Sequence, residues 1–204
     1  MSSKQKIMNL GYYIKRFWIR LCRISHRKGY GIHSPFAFNL VTGVIYERAQ
    51  YYAYAELAEK FADEARDYPQ RDLRLLMRLC NDARPRRGII ICPENQAIPA
   101  YLEKGCATCQ FITDTAVPQG DASSIDWAYV GTDADLAEVL PRLLAQASDR
   151  CVIVIRHICR TPRTVAAWEQ LKSDKRVRVT FDLYDYGLAY FESRLNKEDY
   201  VICY

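Results

Sequence analysis

No stretch of this 204-residue chain approaches the roughly 18 consecutive apolar residues that a membrane-crossing helix needs, and no compact apolar segment ahead of small residues marks a secretory leader. The cytoplasm is therefore the expected compartment. Acid is missing altogether from the first 30 residues, which carry Lys4, Lys6, Lys15, Arg16, Arg20, Arg23, Arg27 and Lys28. The rest of the chain holds 21 cations against 24 acids, so the formal net charge of +5 belongs to the N-terminal segment. Clustered cations of this kind suit a solvated helix face. They also suit contact with nucleic acid, an acidic membrane surface or an acidic partner, where counterion release favours binding. A second cysteine pair is lacking as well: Cys106-Ala107-Thr108-Cys109 stands alone, so the four ligands of a structural zinc site are not at hand. With no disulfide framework needed at this length, the eight cysteines read as reduced thiols. No internal repeat or low-complexity tract is present.

Half of the residues are apolar, enough for a substantial core and too many for disorder. Ile7, Leu10, Ile14, Phe17, Leu21 and Ile24 recur at spacings of three and four, which predicts an amphipathic helix over 7–24. Its apolar stripe has to be covered by the body, by a second copy of the chain or by another protein. Gly29-Tyr30-Gly31 ends that helix. Ser34 and Pro35 then start another, as N-cap and first helical residue, running to about 48. Further helices are expected around Leu57, Phe61 and Ala65, ending near Pro69, and from about 72 to 80. The organisation expected is a helical segment over 1–85 packed on an α/β core over 86–204, in one structural domain.

Past Pro85 the texture changes. Short apolar runs at 89–92, 109–112, 127–130 and 151–155 alternate with helix-like segments near 95–104, 134–147 and 163–173, the pattern of a parallel sheet covered on both faces. Val177, Val179, Phe181 and Leu183 alternate with polar residues, and Asp185-Tyr186-Gly187 makes a turn into strands at 188–191 and 200–204, suggesting an antiparallel edge.

Two blocks carry a resemblance. Gly31-Ile32-His33-Ser34-Pro35-Phe36-Ala37-Phe38 with the tyrosines at 51, 52 and 54, and the stretch from Trp168 through Asp182-Leu183-Tyr184 to Phe191, are similar to the two ends of a bacterial group within the class I S-adenosylmethionine-dependent methyltransferases. The resemblance implies a Rossmann-like, mainly parallel sheet with antiparallel C-terminal strands, here shortened, because only about a dozen residues lie between Ile112 and Asp126 where a third strand and its helices belong. It also implies a glycine-rich turn after the first strand, and the chain instead reads Cys92-Pro93-Glu94-Asn95-Gln96. Gly105 and Gly131 are the alternatives for such a turn. Asp114 and Glu94 are the candidate cofactor contacts, Asp114 as the remnant of a ribose-binding acid or as a turn former. The acidic pair that the family places after a central strand is replaced by Arg156-His157, so hard-oxygen ligands for a metal are missing there.

Arg156 and His157 form an anion site, or pair with Asp126, Asp133 or Asp182 in a refilled cleft. His33 serves as a general base or makes a structural hydrogen bond. Tyr51, Tyr52, Tyr54, Tyr184, Tyr186 and Tyr190 line an aromatic pocket or simply pack. Three functions follow: a non-catalytic methyltransferase-like interaction or structural module that needs no cofactor; an active methyltransferase using S-adenosylmethionine through an atypical loop; or a polyanion binder acting through the basic N-terminal helix.

Overall fold

The structure, a computed structural model, describes residues 18, 19, 21–23, 29–64, 68–117 and 124–204. Of the helix expected over 7–24, residues 18, 19, 21 and 22 are helical, Arg23 is in a turn, and the remainder of that expectation lies outside the described residues. Gly29 and Gly31 both take positive φ in the turn that follows, a backbone conformation that side chains disfavour. The Ser34 hydroxyl accepts the Ala37 amide at 3.4 Å and caps α1 (Pro35–Leu40), with Pro35 in its first turn. The helix stops short of 48 by widening into a π-helical turn, Val41–Ile45. That turn leaves the Val44 and Ile45 carbonyls without helical donors, and the Arg78 guanidinium supplies both, at 2.7 and 3.2 Å.

After α2 (Ala53–Lys60) and α3 (Gln70–Ala83), strands and helices alternate: β1 (Arg87–Ile91), α4 (Ala97–Gly105), β2 (Gln110–Asp114), β3 (Ile125–Val130), α5 (Leu136–Gln146), β4 (Ala147–Arg156) and α6 (Pro162–Ser173). The chain closes with β5 (Val179–Asp182), β6 (Tyr186–Tyr190) and β7 (Glu198–Val201). All seven strands form one sheet in the order β2-β1-β3-β4-β6-β5-β7. The first four are parallel, β6 runs antiparallel to β4 and β5, and β7 lies parallel to β5 at the edge. Among the described residues no strand stands between β2 and β3.

Alternation along the strands divides the core into two layers. Ile90, Trp127, Tyr129, Val152, Val154, Phe181 and Tyr190 face α1 to α4. Ile89, Ile91, Ala128, Val130, Ile153 and Ile155 face α5 and α6. Trp127, Tyr129, Phe181 and Tyr190 give the first layer much of its aromatic bulk, and the second is mainly aliphatic, with Trp168 and Phe191 as its aromatics. α4 follows β1 on one face and α5 follows β3 on the other, so the winding reverses between two adjacent strands.

The N-terminal segment meets this body at Arg23. Its guanidinium forms a two-pronged pair with Asp182 at 2.9 and 2.8 Å, with side-chain exposures of 16% and 20%, and lies 5.7 Å from the centre of the Tyr184 ring. Parallel hydrogen bonds in a half-buried setting exceed what a surface pair contributes. A double-mutant cycle of Arg23→Ala and Asp182→Ala is expected to show a coupling of about 1 kcal/mol or more in the unfolding free energy, and zero coupling would mean that this contact holds nothing.

Candidate functional site

In an open α/β sheet, ligands bind outside the carboxyl ends of the strands where the winding reverses. Here that point is the gap between β1 and β3, bordered by the loops after β1, β3 and β4.

The β1 loop has no glycine, and Cys92 adopts the left-handed conformation itself, with φ of 48°. The Asn95 side chain accepts the Ala97 and Ile98 amides at 3.1 and 3.2 Å. Donors at the start of α4, which would otherwise point toward a bound ligand, are consumed by the chain's own cap. On the β3 side the Gly131 amide donates to the Ile91 carbonyl at 2.8 Å. A Cβ at Gly131 would lie 1.8 Å from the Cys92 carbonyl oxygen, so this glycine is needed to let two backbones touch. Gly105 ends α4 and serves packing: a Cβ there would sit 2.5 Å from the Met77 carbonyl.

Glu94 spans the gap. One carboxylate oxygen accepts the Thr132 amide at 2.7 Å and the Thr132 hydroxyl at 2.6 Å; the other accepts the Tyr129 hydroxyl at 2.6 Å. Arg156, from the end of β4, stands 3.6 Å from the same carboxylate and stacks 3.8 Å above the Tyr68 ring. Burial alone would raise the Glu94 pKa, but Arg156 and the bonds from Thr132 and Tyr129 outweigh it and hold the group below the usual carboxylate range. Beneath the carboxylate, the Tyr68 hydroxyl joins those of Tyr129, at 3.4 Å, and of Tyr186. The Arg156 Nε has no acceptor among the described residues.

His157 takes positive φ, its amide donating to the Asp185 carbonyl at 2.5 Å. Its Nδ1 lies 3.0 Å from the Thr132 hydroxyl. Because that hydroxyl spends its proton on Glu94, Nδ1 has to be the donor, which leaves Nε2 with its lone pair in the neutral ring. Burial, and next the Arg156 cation, lower the His157 pKa, so the ring is neutral at pH 7.

The structure thus joins Glu94, Arg156 and His157, and leaves the other expected residues apart. Arg156 pairs with Glu94 and not with the three aspartates named for it. Asp126 accepts the Arg86 amide and the Ser148 hydroxyl, Asp133 stands 3.8 Å from Arg160, and Asp182 holds Arg23. Asp114 is exposed at the end of β2 and folds its carboxylate onto its own turn, accepting the Thr115 amide at 2.6 Å. His33 is exposed before α1 and shares no bond with this cluster. The six tyrosines do not make one pocket: Tyr52 is fully exposed while Tyr54, Tyr186 and Tyr190 are in the core. Among the described residues no group of side chains could hold a metal ion, and burial pushes the Cys109 thiol of the CxxC pair up to about 12. Thr132, Tyr129 and Tyr68 were not legible as site residues; the apolar run of β3 marks Tyr129 only as buried.

No family model matches the chain, and no curated protein matches it. The structure is similar to a candidate O-methyltransferase from Klebsiella pneumoniae (13% identity, 71% of this chain and 92% of that one, TM-score 0.54). It is similar also to a Podospora anserina methyltransferase solved with S-adenosylhomocysteine bound (13%, 78% and 95%, 0.54) and to a Geobacter sulfurreducens methyltransferase (13%, 72% and 92%, 0.53). The fold is that of the class I S-adenosylmethionine-dependent methyltransferases. No helix among the described residues is long and apolar enough to cross a membrane.

Removing Glu94 leaves a buried arginine unpaired. Glu94→Ala is therefore expected to cost about 3 kcal/mol, read as a fall in melting temperature of roughly 6 to 12 °C. His157 adds a pH dependence. Its folded pKa lies below the ordinary value of about 6.5, so the unfolded chain binds more protons in acid, and stability is full above that value and declines as pH falls through it. Melting temperature should drop as pH falls below about 6.5, and His157→Asn, whose amide can replace Nδ1–H and tolerate the positive φ, should flatten that step. Glu94, also depressed, contributes a further loss only below about pH 4.3.

Proposed function

We propose that this chain is a methyltransferase-fold protein that works as an interaction or structural module and does not transfer methyl groups. One observation carries the reading: Glu94 crosses the point of winding reversal and ties the β1 loop to Thr132, with Arg156 as its counter-charge. S-adenosylmethionine needs close backbone approach at a glycine turn and an acid for its ribose. Those residues do not fit the group here, because the turn is filled by side chains, the α4 amides are capped by Asn95, and the Asp114 carboxylate serves its own turn. Two anchors weakened together, each hydrogen bond to a charged group contributing about 1.5 to 3 kcal/mol, remove several powers of ten in affinity.

The side through which a partner or second copy docks is the N-terminal third, where Trp18, Tyr30 and Tyr52 expose most of their area. A second reading, an active enzyme with an atypical loop, draws on the Podospora neighbour, which binds S-adenosylhomocysteine, and on the bare Nε2 of neutral His157, a proton acceptor at the sheet's carboxyl edge. Calorimetry of the full chain separates the two. Neither S-adenosylmethionine nor S-adenosylhomocysteine should give heat of binding at millimolar ligand. A micromolar dissociation constant abolished by Asp114→Ala would overturn the module reading and restore the enzyme.

A further inference from the structure

A second feature lies away from the sheet edge, on α3. Arg71, Arg74 and Arg78 recur at spacings of three and four and stack along one side of that helix, while Leu73, Leu76 and Leu79 bury the other in the core. With Arg48 they line a cavity of about 810 Å³ walled by Tyr46, Tyr54 and Tyr204 and closed at one side by Leu21. Four arginine side chains and one glutamate are present in that wall.

The four are not equivalent. Arg78 is buried and bonded to neutral groups, the Val44 and Ile45 carbonyls, the Tyr54 hydroxyl at 3.3 Å and the Tyr204 side chain, and the Glu47 carboxylate acts on it only through space, so it brings its charge into the wall. Arg71 lies 4.6 Å from the Tyr204 ring centre and is partly neutralised by Asp72 at 3.2 Å. Arg74 stands 4.8 Å over the Tyr54 ring, its Nε buried without an acceptor, and makes no hydrogen bond or ion pair among the described residues. A guanidinium pinned by an aromatic face with its hydrogen bonds unspent is preorganised for an anion. The glutamate, Glu47, is engaged by its own Arg48 and Ala49 amides, both at 2.6 Å. The N-terminal segment that reaches the cavity at Leu21 cannot neutralise these charges, because residues 1–30 contain no Asp or Glu.

We infer that this cavity binds a small phosphate monoester with an aromatic body. Several guanidinium groups in one wall favour a dianion over a monocarboxylate, since each planar fork takes two phosphate oxygens. The tyrosine rings and Ile45 offer a surface on which an aromatic group stacks. The volume falls within the roughly 300 to 1,000 Å³ usual for small-ligand sites. Nothing in this site depends on the state of the gap between β1 and β3.

The test is calorimetry on the full chain with phenyl phosphate, inorganic phosphate and phenol as probes. Phenyl phosphate should bind at least tenfold more tightly than inorganic phosphate, and phenol should give no heat. Arg74→Gln should weaken phenyl phosphate at least tenfold while leaving the melting temperature of the free protein in place, because Arg74 makes no hydrogen bond to be lost; Arg74→Lys should recover part of the affinity. Arg163→Gln, on the exposed start of α6, should change nothing. Absence of heat with phenyl phosphate, or unchanged affinity in Arg74→Gln, would overturn the site. Equal affinity for phenyl phosphate and inorganic phosphate would overturn the aromatic body.

Discussion

The Glu94 carboxylate, accepting three hydrogen bonds and facing Arg156, is the constraint around which the carboxyl edge of this sheet is arranged. Strand-end loops at a winding reversal normally diverge and leave a crevice. Here the carboxylate pulls the loop after β1 onto the loop after β3, and the backbones meet so closely that only glycine fits at 131. Each neighbour then has its state set by Glu94: Thr132 spends its proton on it, which assigns the His157 tautomer, and Arg156 is held where a cation would otherwise be buried alone. The group that makes the edge rigid also stands at the point of winding reversal, where ligands bind in open α/β sheets.

Burial supplies the leverage. Tyr129 and Tyr186 are wholly inside, so their hydroxyls have no water to turn to, and unpaired polar groups there would cost about 1 to 3 kcal/mol each. Their bonds converge on Tyr68 and Glu94. Arg78 on the opposite flank is a parallel case, a buried charge distributed over carbonyls that a π-helical turn has freed. In both places a backbone irregularity, positive φ at Cys92 or the wide turn at Val41–Ile45, exists together with a charged side chain that uses it.

The sheet was legible because its strands are short continuous apolar runs between helix-length segments, and all four runs from 89 to 155 became neighbouring parallel strands in one sheet. Ser34 and Pro35 marked a helix start because capping depends on neighbours in the chain. The π-helical turn was not legible: its cause, Arg78, lies more than 30 residues away. The Arg156 partner was misplaced for the same reason. Three aspartates are available to Arg156 by position, but each is engaged by a nearer group, and the carboxylate that meets it is that of Glu94, from the loop after β1. Local propensity and periodicity reveal elements; which charge meets which across a sheet edge is decided by loop geometry that no periodicity encodes.

The amide of Thr132 reports most directly on whether the two loops are tied. In a nuclear magnetic resonance pH titration, the account predicts a strongly downfield Thr132 amide hydrogen whose shift follows an ionisation below the ordinary glutamate value of about 4.3, lost in Glu94→Gln, and unmoved by millimolar S-adenosylmethionine at neutral pH. An amide at an unremarkable position with no acid titration, or one displaced by the cofactor, would contradict it.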